Sequence, residues 1–392
     1  MKILMVSSYL PYPLLDGGRI RLYNLIKLLG EKHEITLICE KWGQQTQKDV
    51  DEIRKICKKV IVIDRPKAFS VRNISKSLLS LEPLLSVVHT NKEIKEQIKN
   101  ELNSSVFDLI HVETFYVMQN LPQVKIPIVL AEHNIEYEVY LKYAKKRPFF
   151  IRPVYMMDVL KLKRVERNFW KNADKLIAVS KNDGKNMGRS IEVVPNGVDL
   201  DKFKMKKIVN GKKDKVILFI GNFKWLQNRD SVAFILNNIW PKIISQNKKG
   251  LNIKLWVVGK NIPDSIKNSV SGFVEFDEKA PNATEEIFQE ADLLLAPIRV
   301  GGGTSYKILE AMASGTPVLT TPLGNEGINA RDGSEILIAE KPDEFAREAL
   351  SILSDDYLYE KISRSGRRFI EGNYDWKNIV KKLEAVYLSA LS

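Results

Sequence analysis

The chain has 392 residues, 44% of them hydrophobic, and a formal charge of +13. That length exceeds what one hydrophobic core usually serves, so two domains are expected, and the positive balance calls for an anionic partner: nucleic acid, a membrane surface or a phosphorylated substrate. The sequence has no finger spacing, no RNP-like aromatic strand and no basic region followed by heptads, which sets nucleic acid aside.

The opening "MKILMVSSYLPYP" holds too short an apolar run for a signal segment or a membrane span, so a cytoplasmic protein is expected. It reads as strand, then the turn-forming "PYPLLDGG", then the helical "RIRLYNLIKLLGEK". "HEITLICE", "VIVID", "DLIHVE", "IPIVLAEHN" and "KLIAVS" follow as short apolar runs separated by helical stretches. Runs of this length alternating with helices predict a parallel sheet covered on both faces. A second series, "KVILFIGN", "IKLWVVGK", "FVEF", "LLLAP" and "PVLTT", starts after "VVPNGVDLDKF". The fold class is therefore α/β with two Rossmann-like, doubly wound domains: residues 1–200, and residues 201–374. A last helix over 375–392 starts at Asp375, and Trp376, Ile379, Val380, Leu383, Val386, Tyr387 and Ala390 form its apolar stripe. Cys39 and Cys57 have neither CxxC nor metal-ligand spacing, so buried reduced thiols are expected. Neither first strand is followed by GxGxxG, which argues against paired dinucleotide sites.

The densest chemistry lies in "VGGGTSYKILEAMASGTPVLTT", residues 300–321. Gly301, Gly302 and Gly303 let backbone N–H groups approach a ligand, Thr304 or Ser305 is placed to cap the helix that follows, and Lys307 adds a full charge to its first turn. Glu310, further along that helix, is placed to accept hydrogen bonds from hydroxyls attached to a bound phosphate, as on a ribose. These residues predict a nucleotide phosphate site.

"LEAMASGTPVLTT", with "VVPNGVDLDKF", "KLIAVS" and "PYPLLDGGRIRLYNLIKLL", resembles the retaining two-Rossmann-domain (GT-B) glycosyltransferases of family 4, group 1, over nearly the whole chain. The resemblance implies hexosyl transfer from a nucleotide diphosphate sugar, of UDP or GDP type, to a glycan or lipid-linked acceptor. It implies retention, no bound metal or other cofactor, a cleft between the domains, and a terminal helix that crosses back to the N-terminal domain. It places Glu310 on the donor ribose and the glycine loop with Lys307 on donor phosphate and sugar. It sets His133 of "IVLAEHNIEYE" near the transferred sugar, and Gly17 and Gly18 in a loop beneath the donor phosphates and the acceptor.

Two departures stand out. The family's usual partner glutamate would fall at 302, where this chain has Gly302, and its usual basic pair would fall near Asn222 and Gln227 of "GNFKWLQN". The expectation is a variant, GGGT-type donor site drawing charge from Lys307 and from Lys224 or Arg299. A nucleotide-sugar epimerase on the same fold and a non-catalytic sugar-nucleotide binding protein stay open as alternatives. Two DxD pairs, Asp49 with Asp51 and Asp199 with Asp201, lie in a helix and in the interdomain segment, so a solvated helix face and a cap are the expected roles. Residues 140–172 concentrate Lys and Arg among aromatics, with Tyr155, Val159, Leu162, Val165 and Phe169 on an inward stripe. That segment is an expected contact for an anionic membrane surface, which would place the protein peripherally on the inner face of the cell membrane.

Overall fold

The computed structural model describes residues 1–65, 70–187, 191–267, 273–279, 284–301 and 303–392. The chain divides into two compact units, one of Met1–Pro195 with Ile379–Ser392, the other of Asn196–Asn378.

In the first unit, the described residues form a sheet of β1 (Lys2–Ser7), β2 (Glu34–Lys41), β3 (Lys59–Asp64), β4 (Leu109–Glu113), β5 (Ile128–Glu132), β6 (Lys175–Ala178) and β7 (Glu192–Val193), in spatial order 3-2-1-4-5-6-7. In the second they form β8 (Asp214–Ile220), β9 (Asn252–Val258), β10 (Val274–Asp277), β11 (Leu293–Ala296), β12 (Val318–Thr320) and β13 (Leu337–Ile338), in order 10-9-8-11-12-13. The ladders are parallel throughout. Both sheets run outward from a central strand and then reverse, the doubly wound order the sequence predicts. β7 and β13, two residues each, escape prediction because so short a run has no measurable period.

Strand geometry explains the two-sided burial. Side chains alternate across a strand, so Ile217 and Phe219 of β8 join Leu255, Leu293 and Leu319 in one core, while Leu218 and Ile220 join Trp256, Leu294 and Val318 in another. In the first unit Leu4, Val6, Ile38, Ile110, Val112 and Leu130 share a core in the same way. The opposite face of β4 carries His111 and Glu113 after Leu109, and all three are buried.

The Trp376–Leu391 helix starts where Asp375 Oδ1 accepts the Lys377 N–H at 3.0 Å. Ile379, Leu383, Val386 and Tyr387 are buried, and Ala390 at the end of the stripe is half-buried. Cys39 is buried and Cys57 half-buried, both as free thiols, which corrects the expectation that both are buried.

Two glycines differ in what they tolerate. Gly259 has φ +148° and a Cβ built there would lie 1.8 Å from the Gly221 carbonyl oxygen, whereas Gly211 has φ +70° with open space around it. Gly259→Ala is expected to cost about 3 kcal/mol or more and Gly211→Ala about 1 kcal/mol. Thermal melts of the two variants test this; equal losses would show that backbone conformation alone governs Gly259.

Candidate functional site

In an open parallel sheet, ligands meet the chain beyond the carboxyl ends of the strands, where the turns leave backbone groups uncovered. The glycine stretch occupies that position in the second unit, between the end of β11 and the Tyr306–Ala313 helix. Gly301 has φ +116° and Gly303 φ +81°, conformations that suit glycine, and neither has an atom within 4 Å of an added Cβ. Gly302 lies outside the described residues. Ser305 occupies the helix cap position, but its side chain makes no capping bond. The Thr304 hydroxyl donates to the Gly327 carbonyl at 3.2 Å. Both observations correct the capping expectation: the loop is anchored to a neighbouring turn, because Gly327 packs so closely that a Cβ there would lie 2.8 Å from the Gly303 and Thr304 backbone.

Lys307 turns inward. Its Nζ donates to Asn228 Oδ1 at 2.8 Å and lies 4.7 Å from the centre of the Phe219 ring. Asn228 Nδ2 in turn donates to the Asn222 carbonyl at 2.8 Å, and the Lys224 N–H donates to Asn222 Oδ1 at 3.0 Å. Lys307, Asn228, Asn222 and Lys224 thus connect the glycine loop's helix to the turn after β8. Asn228 and Gly327 were invisible in the sequence, since each acts only through a distant segment. Arg299 corrects another expectation. Asp230 takes its guanidinium in two bonds of 2.9 and 3.1 Å and Phe234 stacks on it, so its charge is already neutralised.

Glu310 is half-buried on the same helix, and among the described residues its carboxylate has neither a hydrogen bond nor an ion pair. Burial pushes it up to about 8, with Lys202 and Lys307 pulling the other way. Burial likewise brings Lys307 down to about 8, and Glu310 opposes that shift. Two opposite charges one turn apart on a helix, each left short of partners, form an arrangement that a polar, anionic ligand would complete.

In the first unit, Gly17 and Gly18 open the Gly17–Leu29 helix, capped by Asp16, whose Oδ1 accepts the Arg19 N–H at 3.0 Å. A Cβ on Gly18 would press to 3.0 Å on the Tyr9 hydroxyl oxygen. His133 follows β5 and is half-buried; its Nε2 lies 2.6 Å from Glu113 Oε1. Arg21 Nε is 3.3 Å from the same oxygen and His111 Nε2 2.7 Å from the other. Burial opposes a charge on Glu113, yet His133, His111 and Arg21 together hold its carboxyl well below the usual range. The spacing His-x-Glu inside an apolar strand was the available signal for this cluster, because residues two apart share a face.

The DxD carboxylates are committed elsewhere. Asp49 accepts the Thr46 N–H in a capping box and Asp51 pairs with Arg54, while Asp199 accepts the Asp201 and Lys202 N–H groups and Asp201 pairs with Lys377.

The basic segment is also corrected in one respect. Within the Arg152–Asn172 helix the buried residues are Val159, Leu162, Glu166 and Trp170, with Val165 and Phe169 half-buried, whereas Tyr155 is exposed beside Tyr143 and Arg147. The first turns of this helix extend past the core. Phe149, Phe150, Val154 and Leu160 are exposed as well, and so are Val71, Leu78 and Leu79 of the Val71–Leu79 helix, which is tied to the longer helix by Lys161 Nζ donating to the Ser77 carbonyl at 2.7 Å. Among the described residues no helix is long and apolar enough to cross a membrane.

Comparison with known proteins bears on both units. A model of "Glycosyltransferase Family 4" matches residues 15–202, and one of "Glycosyl transferases group 1" matches residues 214–355. The chain is 26% identical to an uncharacterized 44.6 kDa protein in the cps region of Klebsiella pneumoniae, over 97% of this chain and 98% of that one. It is 25% identical to a phosphatidyl-myo-inositol mannosyltransferase of Mycobacterium tuberculosis over 51% of this chain and 54% of the relative. Among solved structures, Anabaena HepE in complex with UDP and glucose shares the fold with a TM-score of 0.66 at 15% identity, over 99% of this chain and 100% of that one.

The strained chemistry of Glu310 has a consequence for stability. An acid whose folded pKa is raised to about 8 holds its proton in the folded state after the unfolded chain has released it, so stability is lost as pH rises from the ordinary carboxylate range towards about 8. Glu310→Gln is therefore expected to stabilise the protein by about 1–3 kcal/mol at neutral pH and to have little effect in mild acid. Melting temperatures across that range test it. A gain that does not grow with pH would show that the carboxylate is not held under strain.

Proposed function

The chain belongs to the family 4, group 1 glycosyltransferases, retaining GT-B enzymes that transfer a sugar from a nucleotide-sugar donor, and we propose that its donor is a UDP- or GDP-hexose and its acceptor a glycan or lipid-linked sugar. The observation that carries the donor reading is the half-buried Glu310 on the helix behind the glycine loop, which has no hydrogen-bonding partner among the described residues. In this reading its carboxylate accepts the ribose hydroxyls. The N–H groups of Gly301, Gly303, Thr304 and Ser305, at the positive end of the helix, receive the diphosphate, with Gly302 contributing as a residue without a Cβ. Lys307 supplies a half-buried positive charge and Lys224, beside Asn222, an exposed one. UDP in the Anabaena structure favours uridine as the base.

His133 holds a hydroxyl of the transferred sugar, and Gly17 and Gly18 leave room beneath the phosphates and acceptor. Retention is served when the departing diphosphate oxygen takes the proton of the acceptor hydroxyl as the new glycosidic bond forms on the same face. The protein then contributes position and charge stabilisation without a nucleophile of its own. Because Asp49, Asp51, Asp199 and Asp201 already serve caps and ion pairs, transfer without a bound metal suits this chain.

A thermal-shift screen of UDP, GDP and their hexoses identifies the donor, since a ligand that binds only the folded state raises the melting temperature. Glu310→Ala is expected to weaken binding of that nucleotide by about 1–3 kcal/mol with the fold intact. Unchanged affinity in isothermal titration would remove Glu310 from the site.

The lipid named for the mycobacterial relative supports a membrane-borne acceptor. In the first unit, Phe149, Phe150, Val71 and Leu79 are exposed among Arg72, Lys76, Lys146 and Arg152, a combination suited to an anionic bilayer. The protein is expected to float with vesicles containing anionic lipid and to be released as salt rises. Equal recovery with neutral vesicles at low salt would leave these helices as a solvated face.

A further inference from the structure

The cluster behind His133 contains more than a partner for one histidine, and it lies wholly within the first unit. Glu113 is buried at 1% exposure and His111 at 0%, in the middle of a sheet that is otherwise apolar on this strand. The far side of His111 meets the terminal helix: Tyr387 Oη is 2.8 Å from His111 Nδ1, and Tyr387 is also fully buried.

An ionised carboxylate only accepts, so every nitrogen in contact with Glu113 must carry a hydrogen. His111 therefore donates from Nε2 to Glu113 Oε2. Its Nδ1 is left as a lone pair, which the Tyr387 hydroxyl fills as donor; burial, with the Glu113 charge adding to it, holds the tyrosine protonated. With Oε2 satisfied by His111, Oε1 serves the Nε2–H of His133 at 2.6 Å, and Arg21, whose Nη1 also donates to the Pro195 carbonyl at 2.9 Å, anchors the carboxylate from the side. His133 Nε2 is thereby committed. Its Nδ1 makes no hydrogen bond among the described residues.

We infer that Glu113, oriented by Arg21 and by the Tyr387–His111 pair, is a positioning residue that fixes the proton of His133 on Nε2, so that the ring presents Nδ1 as an acceptor to the substrate, and that Tyr387 makes the terminal helix part of the catalytic arrangement. The inference rests on the proposed role of His133 in transfer. Replacing the carboxylate by an amide, whose oxygen stays beside Arg21 and whose NH2 then faces His111, inverts His111 and leaves His133 a weaker, neutral acceptor. Removing the Tyr387 hydroxyl leaves the His111 Nδ1 lone pair unfilled and lets that ring turn its hydrogen away from Glu113.

The test uses the full chain with isotope-labelled histidine, whose four rings are assigned by substitution, and reads the His133 tautomer by nitrogen NMR beside the kinetics of Glu113→Gln, Tyr387→Phe and His133→Ala. The wild type is expected to show the Nε2–H form of neutral His133. Glu113→Gln leaves His133 only a neutral, weaker acceptor, and is expected to let its ring populate the Nδ1–H form beside the Nε2–H form, to lower kcat by roughly 100-fold or more, as weakening a histidine-orienting carboxylate does elsewhere, and to leave nucleotide affinity unchanged. Since Glu113→Gln leaves Arg21 buried without its anion, Tyr387→Phe is the variant that keeps the packing. A loss in kcat of about 3- to 10-fold with unchanged KM for the donor is expected of it. A wild-type His133 in the Nδ1–H form overturns the inference, and so does unchanged turnover in both variants while His133→Ala is inactive. Full turnover by His133→Ala instead overturns the role of His133 itself, whatever its tautomer.

Discussion

A strand buried on both faces has no place for an uncompensated charge, and the placement of polar chemistry in both units follows from that constraint. Most strands obey it by being apolar until they end, which moves ligand-binding groups into the turns beyond the carboxyl ends. β4 obeys it differently. Glu113 lies inside the sheet with two imidazoles and one guanidinium around it, which together hold it ionised against the cost of burial.

The second unit handles charge less completely. Among the described residues Lys307 has an amide and an aromatic face as neighbours but no ion pair, and Glu310 has no hydrogen-bonding partner. Their pKa values, both brought to about 8, express that incompleteness. Arg299 and Asp230, close by in sequence to each segment, instead pair with each other.

The departure of this chain from its family's usual donor loop gains a physical context from these contacts. The family pattern sets a carboxylate before the helix and a basic pair after the first strand of the second domain, and here both positions are uncharged. The segment after β8 contributes amides instead, Asn222 and Asn228, and they position the half-buried Lys307 rather than replace it. Gly327 supports the loop from a segment that no motif marked.

Much of the architecture was legible from the chain. Apolar runs separated by helical periods gave both sheets, and the stripe of the last helix announced a surface to be covered, because burial on two faces writes a period into every strand and helix. The glycine stretch, Lys307 and Glu310 were legible as local chemistry, and the resemblance to a known family directed attention to His133. What the sequence could not decide were partnerships across distance. That Arg299 is spent on Asp230, that Thr304 anchors to Gly327 instead of capping its helix, that Tyr155 stays outside while Val159 turns in, and that Tyr387 meets His111 all depend on segments far apart in the chain. Period and motif are properties of neighbours along the backbone, whereas the state of a buried proton is a property of everything packed around it, which exists only once the chain has folded.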